Sequence, residues 1–304
     1  MFAHAHAATV RAEEMRRFNY LHVDVFADRA FGGNPLTVFL DASALSKDEM
    51  QAIARETNHS ETTFLFPAAK GGAARVRIFT PALELPFAGH PVLGTAFAIA
   101  AHRGLTPATE MTLELAESDV VTALEAGDRA RFVWMTQKAP EAGRLVTDVD
   151  RIARALGIGR GDLDGTARVW TTGMPFLFVP LTALTPMNRM RPNPQVLHEL
   201  LLEAGARGIY AVCRETARRE AAVHARCFPV GVGVGEDAAT GSAAGALEAF
   251  ALENAWIRPG RFEVEQGVEM GRPSTIVVEV KSAAEAVRVG GKVVPMGAGE
   301  LVLE

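Results

Sequence analysis

The chain has 304 residues, 48% of them hydrophobic and 22% charged, with a formal charge of −5 and a pI near 6.0. That length predicts two domains of roughly 150 residues, and the acidic balance excludes a global positive field for nucleic acid. No apolar run approaches the roughly 18 residues of a membrane span; with no secretory leader at the start, a cytoplasmic location is expected.

Residues 1–17 read as a flexible extension, with His4 and His6 as a tail pair rather than a metal site and Met15 as an alternative start. Strand alternation follows at 20–26, then a turn at Phe31-Gly-Gly-Asn-Pro35 and a strand at 36–40. Ser46-Lys-Asp-Glu49 is a capping box opening a helix to about residue 56. Strands are predicted at 61–66 and 74–79. The stretch 91–101 is uniformly small and apolar with Pro91 at its first position, which predicts an interior helix. Strands at 112–115, 120–124 and 130–135 complete the first half.

The second half repeats the plan. Helices are predicted at 148–156, 194–204 and 241–252, strands at 169–181, 208–213 and 223–228, and further strands to the end. An internal echo supports duplication. Arg77-Ile-Phe79, then Glu84, precedes Gly89-His90; Arg226-Cys-Phe228, then Glu236, precedes Gly241-Ser242. In both halves five positions separate the glutamate from the glycine, and Gly94 and Gly245 fall early in the helices.

Two buried helix starts facing one cleft offer unpaired N–H groups and positive dipole ends to a small carboxylate. Gly89, His90 and Pro91 at the first start, and Thr240, Gly241 and Ser242 at the second, are the expected binding residues. Glu61, opening an apolar strand, and Asp237, in Gly235-Glu-Asp-Ala-Ala-Thr-Gly-Ser242, are the candidate proton carriers, since desolvation raises a carboxyl's pKa toward neutrality. His90 can donate, accept or carry charge beside them. The sequence holds no GxGxxG or GxxxxGK[ST] loop, no HExxH and no cysteine cluster, and Gly241-Ser-Ala-Ala-Gly245 lacks GxSxG spacing. Cys213 and Cys227 read as buried free thiols. Proton transfer with neither metal nor organic cofactor is the chemistry left.

On DVFADRAFGGNP, IARETNHSETTF, RIFTPALELPFAGHPVLGTA, GEDAATGSAAG and EQGVEMGRPS, the chain from residue 18 to 304 resembles the PhzF-like family of phenazine-biosynthesis isomerases, more loosely over 148–219. The resemblance implies a diaminopimelate epimerase-like α+β fold of two similar domains, each a mostly antiparallel, barrel-like sheet around a central helix. The first domain would span 18–138 around a helix at 91–102, rejoined by a C-terminal strand at 297–304; the second, 139–296, would surround the helix at 241–252. The resemblance also gives the proton role to Glu61 and site roles to His90, Asp237 and Ser242. It implies a cofactor-free homodimer acting on a small carboxylated, cyclic substrate in the manner of trans-2,3-dihydro-3-hydroxyanthranilate isomerase. Two other readings stay open at this point: a two-base racemase or epimerase using Glu61 and Asp237, and a non-catalytic binder of carboxylate metabolites. No nucleic-acid or membrane partner is expected.

Overall fold

A computed structural model of the chain describes residues 15–105, 109–125, 132–280 and 285–304. The extension at 1–14, with His4 and His6, lies outside them, as do positions 130 and 131 of one expected strand. The chain runs through β1 (Arg16–Val25), β2 (Asn34–Phe39), α1 (Lys47–Thr57), β3 (Glu61–Phe66), β4 (Ala74–Phe79), β5 (Glu84–Leu85), α2 (Gly89–Arg103), β6 (Glu110–Glu114), β7 (Asp119–Leu124) and β8 (Phe132–Gln137). It continues through β9 (Glu141–Val146), α3 (Val149–Leu156), β10 (Ala167–Thr171), β11 (Pro175–Pro180), α4 (Leu184–Arg189) and α5 (Pro194–Ala204). It ends with β12 (Gly208–Cys213), β13 (Val223–Pro229), α6 (Gly241–Glu253), β14 (Gly260–Gln266), β15 (Ser274–Val280) and β16 (Val287–Leu303).

The result is a mixed α+β fold dominated by sheet. Strands follow the order β1-β2-β3-β4-β6-β7-β8-β16-β15-β14-β13-β12-β11-β10-β9, with β5 on β4. β16 is the seam. Its first residues pair with β8 and β15, and from Val293 onward it pairs with β1, so the path returns to its beginning. The handover to β1 therefore comes before residue 297, the expected start of the rejoining strand. At the other end β1 begins at Arg16, not after residue 17. Arg16 and Arg17 pair in register with Leu303 and Val302, and their guanidinium groups meet Glu49 and Glu300.

α2 and α6 are largely small and apolar around their circumference because sheet surrounds them, with Glu248 of α6 a buried exception. α2 packs on β1, β2, β8 and β16, α6 on β10, β11, β15 and β16, and the two helices touch each other. Gly94 lets Leu36 reach α2, where an added Cβ would sit 2.5 Å from its Cδ2 atom, and Gly245 leaves room for Gln137 against α6.

The echoed Arg-x-Phe and Glu positions are one physical device used twice. Arg77 donates to Glu84 through Nε and Nη2 at 2.7 and 2.8 Å, and Arg226 donates to Glu236 through the same atoms, both at 2.8 Å. Each guanidinium also lies over the ring two residues on, Phe79 at 5.1 Å and Phe228 at 5.0 Å. Each bidentate clamp ties the strand to the segment leading into a buried helix. The second is the more buried, with side-chain exposures of 6% for Arg226 and 18% for Glu236 against 26% and 25% for the first pair. Stranding a buried guanidinium is costly, so Glu236→Ala is expected to lose about 3 kcal/mol in urea denaturation and Glu84→Ala clearly less. Equal losses would refute the burial argument.

Candidate active site

Glu61 is the first residue of β3, and its position follows from local stops and starts. α1 closes on Asn58 in the left-handed conformation (φ 51°), which turns the chain through His59 and Ser60 into the strand. β3 runs parallel to β2 with Glu61 opposite Leu36, and Ser60 just before it donates to Asn34 Oδ1 at 3.0 Å. The Ser46–Glu49 capping box that starts α1 is present in both directions.

The starts of α2 and α6 face one another. A Cβ on Gly89 would lie 2.6 Å from the Ser242 backbone nitrogen, so only glycine permits this approach. Side chains cap the starts of α1, α3 and α5, whereas α2 and α6 have no side-chain cap hydrogen bond. Their first N–H groups are thus left for another acceptor.

One cavity of about 50 Å³ joins these parts, room for a few waters. Glu61, Gly89, His90, Asp237, Thr240, Gly241 and Ser242 all line it. Pro91, expected with them, does not; it is buried as the third residue of α2, where its missing N–H costs nothing. Cys227 also lines the cavity, but burial, chiefly, and the nearby Asp237 hold its thiol well above the usual range, so it is not a ready base.

Within the cavity His90 Nε2 stands 3.4 Å from Glu61 Oε2, and both atoms are buried without a hydrogen-bond partner. Buried polar atoms are nearly always satisfied, so this facing pair stands apart from the rest of the lining. Asn34 Nδ2 approaches His90 Nδ1 at 3.0 Å, which fixes Nδ1 as the acceptor and puts the ring proton on Nε2, aimed at Glu61. Burial, first, and the neighbouring His59 push the imidazole down to about 3, so it is neutral. Glu61 moves the other way: burial, then the charge of Asp237, raises it well above the usual carboxyl value.

Asp237 is raised too, by burial, with hydrogen bonds from Thr240 and Asn34 acting against the rise. Thr240 Oγ1 donates to its Oδ2 at 2.6 Å and Asn34 Nδ2 to its Oδ1 at 2.7 Å, so both oxygens are held. Gln266, fully buried, fixes the loop around it. Its Nε2 donates to Asp237 O at 2.7 Å and Thr240 Oγ1 at 2.9 Å, while Oε1 accepts from Thr240 N and the Tyr210 hydroxyl, both at 3.1 Å. Gln137 Nε2 donates to Gly241 O at 3.0 Å and so holds the start of α6. Asn34, Gln266 and Gln137 are site residues that sequence reasoning missed. The first two lay in plain view, Asn34 in the turn before Pro35 and Gln266 in Glu265-Gln-Gly267.

The cavity thus brings a cap-free pair of helix starts beside an unpartnered carboxyl and imidazole. Comparison with known proteins gives the family. A model of the family described as "Phenazine biosynthesis-like protein" matches residues 23–299. An uncharacterized isomerase of Mesorhizobium japonicum is 37% identical over 95% of this chain and all of its own. The trans-2,3-dihydro-3-hydroxyanthranilate isomerase of Pseudomonas chlororaphis is 37% identical over 94% of this chain and 99% of its own. Among solved structures, a PhzF-family phenazine biosynthesis protein of Bacillus anthracis matches with a TM-score of 0.84 at 28% identity, covering 95% of this chain and all of its own. In fold alone, a probable proline racemase of Agrobacterium radiobacter is also similar, at TM-score 0.65 and 15% identity over 94% of this chain and 93% of its own. The molecule is an isomerase. The chain belongs to the phenazine biosynthesis-like family. Among its described residues no helix is long and apolar enough to cross a membrane.

Proposed function

We propose that this isomerase moves a proton on a small, cyclic carboxylic acid, with Glu61 as the proton carrier and no cofactor. The observation that carries the reading is the unpartnered Glu61 Oε2 facing His90 Nε2 beside two uncapped helix starts. The substrate carboxylate lies against the N–H groups of Gly89, Gly241 and Ser242, in a cleft between two similar domains. Glu61, ionised, takes a proton from a carbon made acidic by conjugation. The C–H pair delocalises into the ring acid, and Glu61 delivers a proton at another carbon, so the product is an isomer of the substrate. His90, donating from Nε2, steadies the charge that develops. Homodimeric assembly and a cytoplasmic location are carried over with this reading from the family resemblance.

The substrate named for the Pseudomonas relative, trans-2,3-dihydro-3-hydroxyanthranilate, is the first to test. Incubation in D₂O, followed by NMR, is expected to show conversion, with solvent deuterium at the carbon that gains the proton or partial retention of the original one. Binding without exchange of any substrate proton defeats the reading and favours a non-catalytic binder. A two-base racemase would instead invert a stereocentre with full deuterium uptake. That alternative needs Asp237 to be free to act, and both its oxygens are engaged by Thr240 and Asn34.

A further inference from the structure

Beyond the acid–base cavity lies a second, larger space of about 820 Å³. The two share Leu85, Met174, Arg207 and Val232 as walls, so the outer space is the vestibule of the inner one. It is far larger than a single small ring requires. Three of the four shared residues are apolar. The fourth is Arg207, the one arginine or lysine in the inner lining.

Arg207 is held but not occupied. Its backbone N–H donates to Pro175 O at 2.8 Å, and its carbonyl accepts from Val230 N at 3.0 Å, which pins the residue between β11 and the loop after β13. Among the described residues no carboxylate pairs with its guanidinium. Of the acids that line the outer space with it, Glu84 pairs with Arg77 and Asp119 with Lys70, and Glu117 makes no ion pair with Arg207. Arg207 is exposed, so its guanidinium stands at the solvent-facing rim of this wall; with no carboxylate on it, it is suited to bidentate capture of an oxyanion.

We propose that Arg207 forms a second anion subsite at the throat of the cavity, and that the substrate of this chain carries two anionic groups. The first carboxylate sits at the two helix starts. An apolar segment crosses Leu85, Met174 and Val232. The second group, carboxylate or phosphate, reaches Arg207. This rests on the isomerase reading for the inner site, but it is tested by binding alone and so fails separately.

The test is calorimetry at physiological salt with three matched probes: 4-propylbenzoate, 4-(2-carboxyethyl)benzoate and 4-(2-phosphonoethyl)benzoate. The parent protein is expected to bind one of the dianions about tenfold or more tighter than the monoanion, in keeping with a charge-assisted bidentate contact. Which dianion wins identifies the group. In Arg207→Gln that ratio falls to near one, and Arg207→Lys keeps part of it. Equal affinity for all three probes, no binding of either dianion, or a ratio unchanged in Arg207→Gln overturns the subsite. Retained proton exchange on a monocarboxylate, in the face of any of these, leaves the isomerase reading standing.

Discussion

Glu61→Gln is expected to lower turnover about 10²–10⁴-fold while leaving carboxylate binding largely intact, because a positioned acid–base group acts mainly in the transition state. The amide matches the carboxyl in shape and still faces His90 Nε2, so any loss of packing is small. The pH profile offers a second readout. The first step needs ionised Glu61, whose pKa is raised by burial and by Asp237. The rate constant kcat/KM is therefore expected to fall on the acid side through a limb lying above the ordinary glutamate value of about 4.3. Asp237→Asn removes the neighbouring charge and moves that limb down. The same shift has a sign for stability. A carboxyl raised on folding stabilises the fold below its unfolded pKa, and that contribution is lost as pH rises through the folded value. Glu61→Gln should accordingly gain on the parent in urea midpoint as pH rises above the unfolded carboxyl value. Full turnover in Glu61→Gln, or an acid limb unmoved in Asp237→Asn, removes Glu61 from the role of proton carrier.

How much of this was legible in the sequence depends on the range of the contact. The capping box at Ser46–Glu49 is a local signal and α1 opens where it is placed; α6 opens at Gly241 as expected, while α2 opens at Gly89, two residues before the expected start at Pro91. Glu61, His90, Asp237, Thr240 and Ser242 converge on one cavity because each sits at the edge of such an element. β9 was not legible. Its residues Glu141-Ala-Gly-Arg-Leu-Val146 are largely exposed along an edge pairing only with β10, so no alternation marks it. α4 is six residues with a proline inside, too short for a helical period. β16 reads as several strands, since Gly290, Gly291, Pro295 and Gly297 interrupt a single one that spans both parts of the sheet. Asn34 was missed because its partner Asp237 lies 203 positions away, and Arg207 because its segment resembles the family only loosely. Long-range polar contacts leave no period in the sequence.

His224 supplies the largest stability effect expected away from the site. It is 1% exposed and lies between two carboxylates, with Nδ1 2.7 Å from Glu265 Oε1 and Nε2 2.9 Å from Glu269 Oε1. Burial opposes its charge, but hydrogen bonds to Glu265 and Glu269 outweigh it and lift the imidazole to about 9, so it is an imidazolium at neutral pH. Glu265 also accepts from the backbone N–H groups of Ala217 and Arg218, the latter at 2.9 Å, which fastens the 214–220 loop to β14. Glu265→Ala takes the acceptor from all three donors and leaves a buried cation half-paired, a change that costs about 3–5 kcal/mol. The pH dependence has a definite direction. Since the folded pKa lies above the unfolded value of about 6.5, the contribution is complete below that value and is lost as pH rises through about 9, on the order of 3 kcal/mol in all. Glu265 and Glu269 are held below the usual range, so the same cluster loosens again as pH falls through their folded values. Urea denaturation at pH 6 and pH 9.5, run on the parent and on His224→Gln, separates this effect from the loss caused by Glu61. The part of the decline that vanishes in His224→Gln belongs to the cluster; if none vanishes, the buried imidazolium is not there.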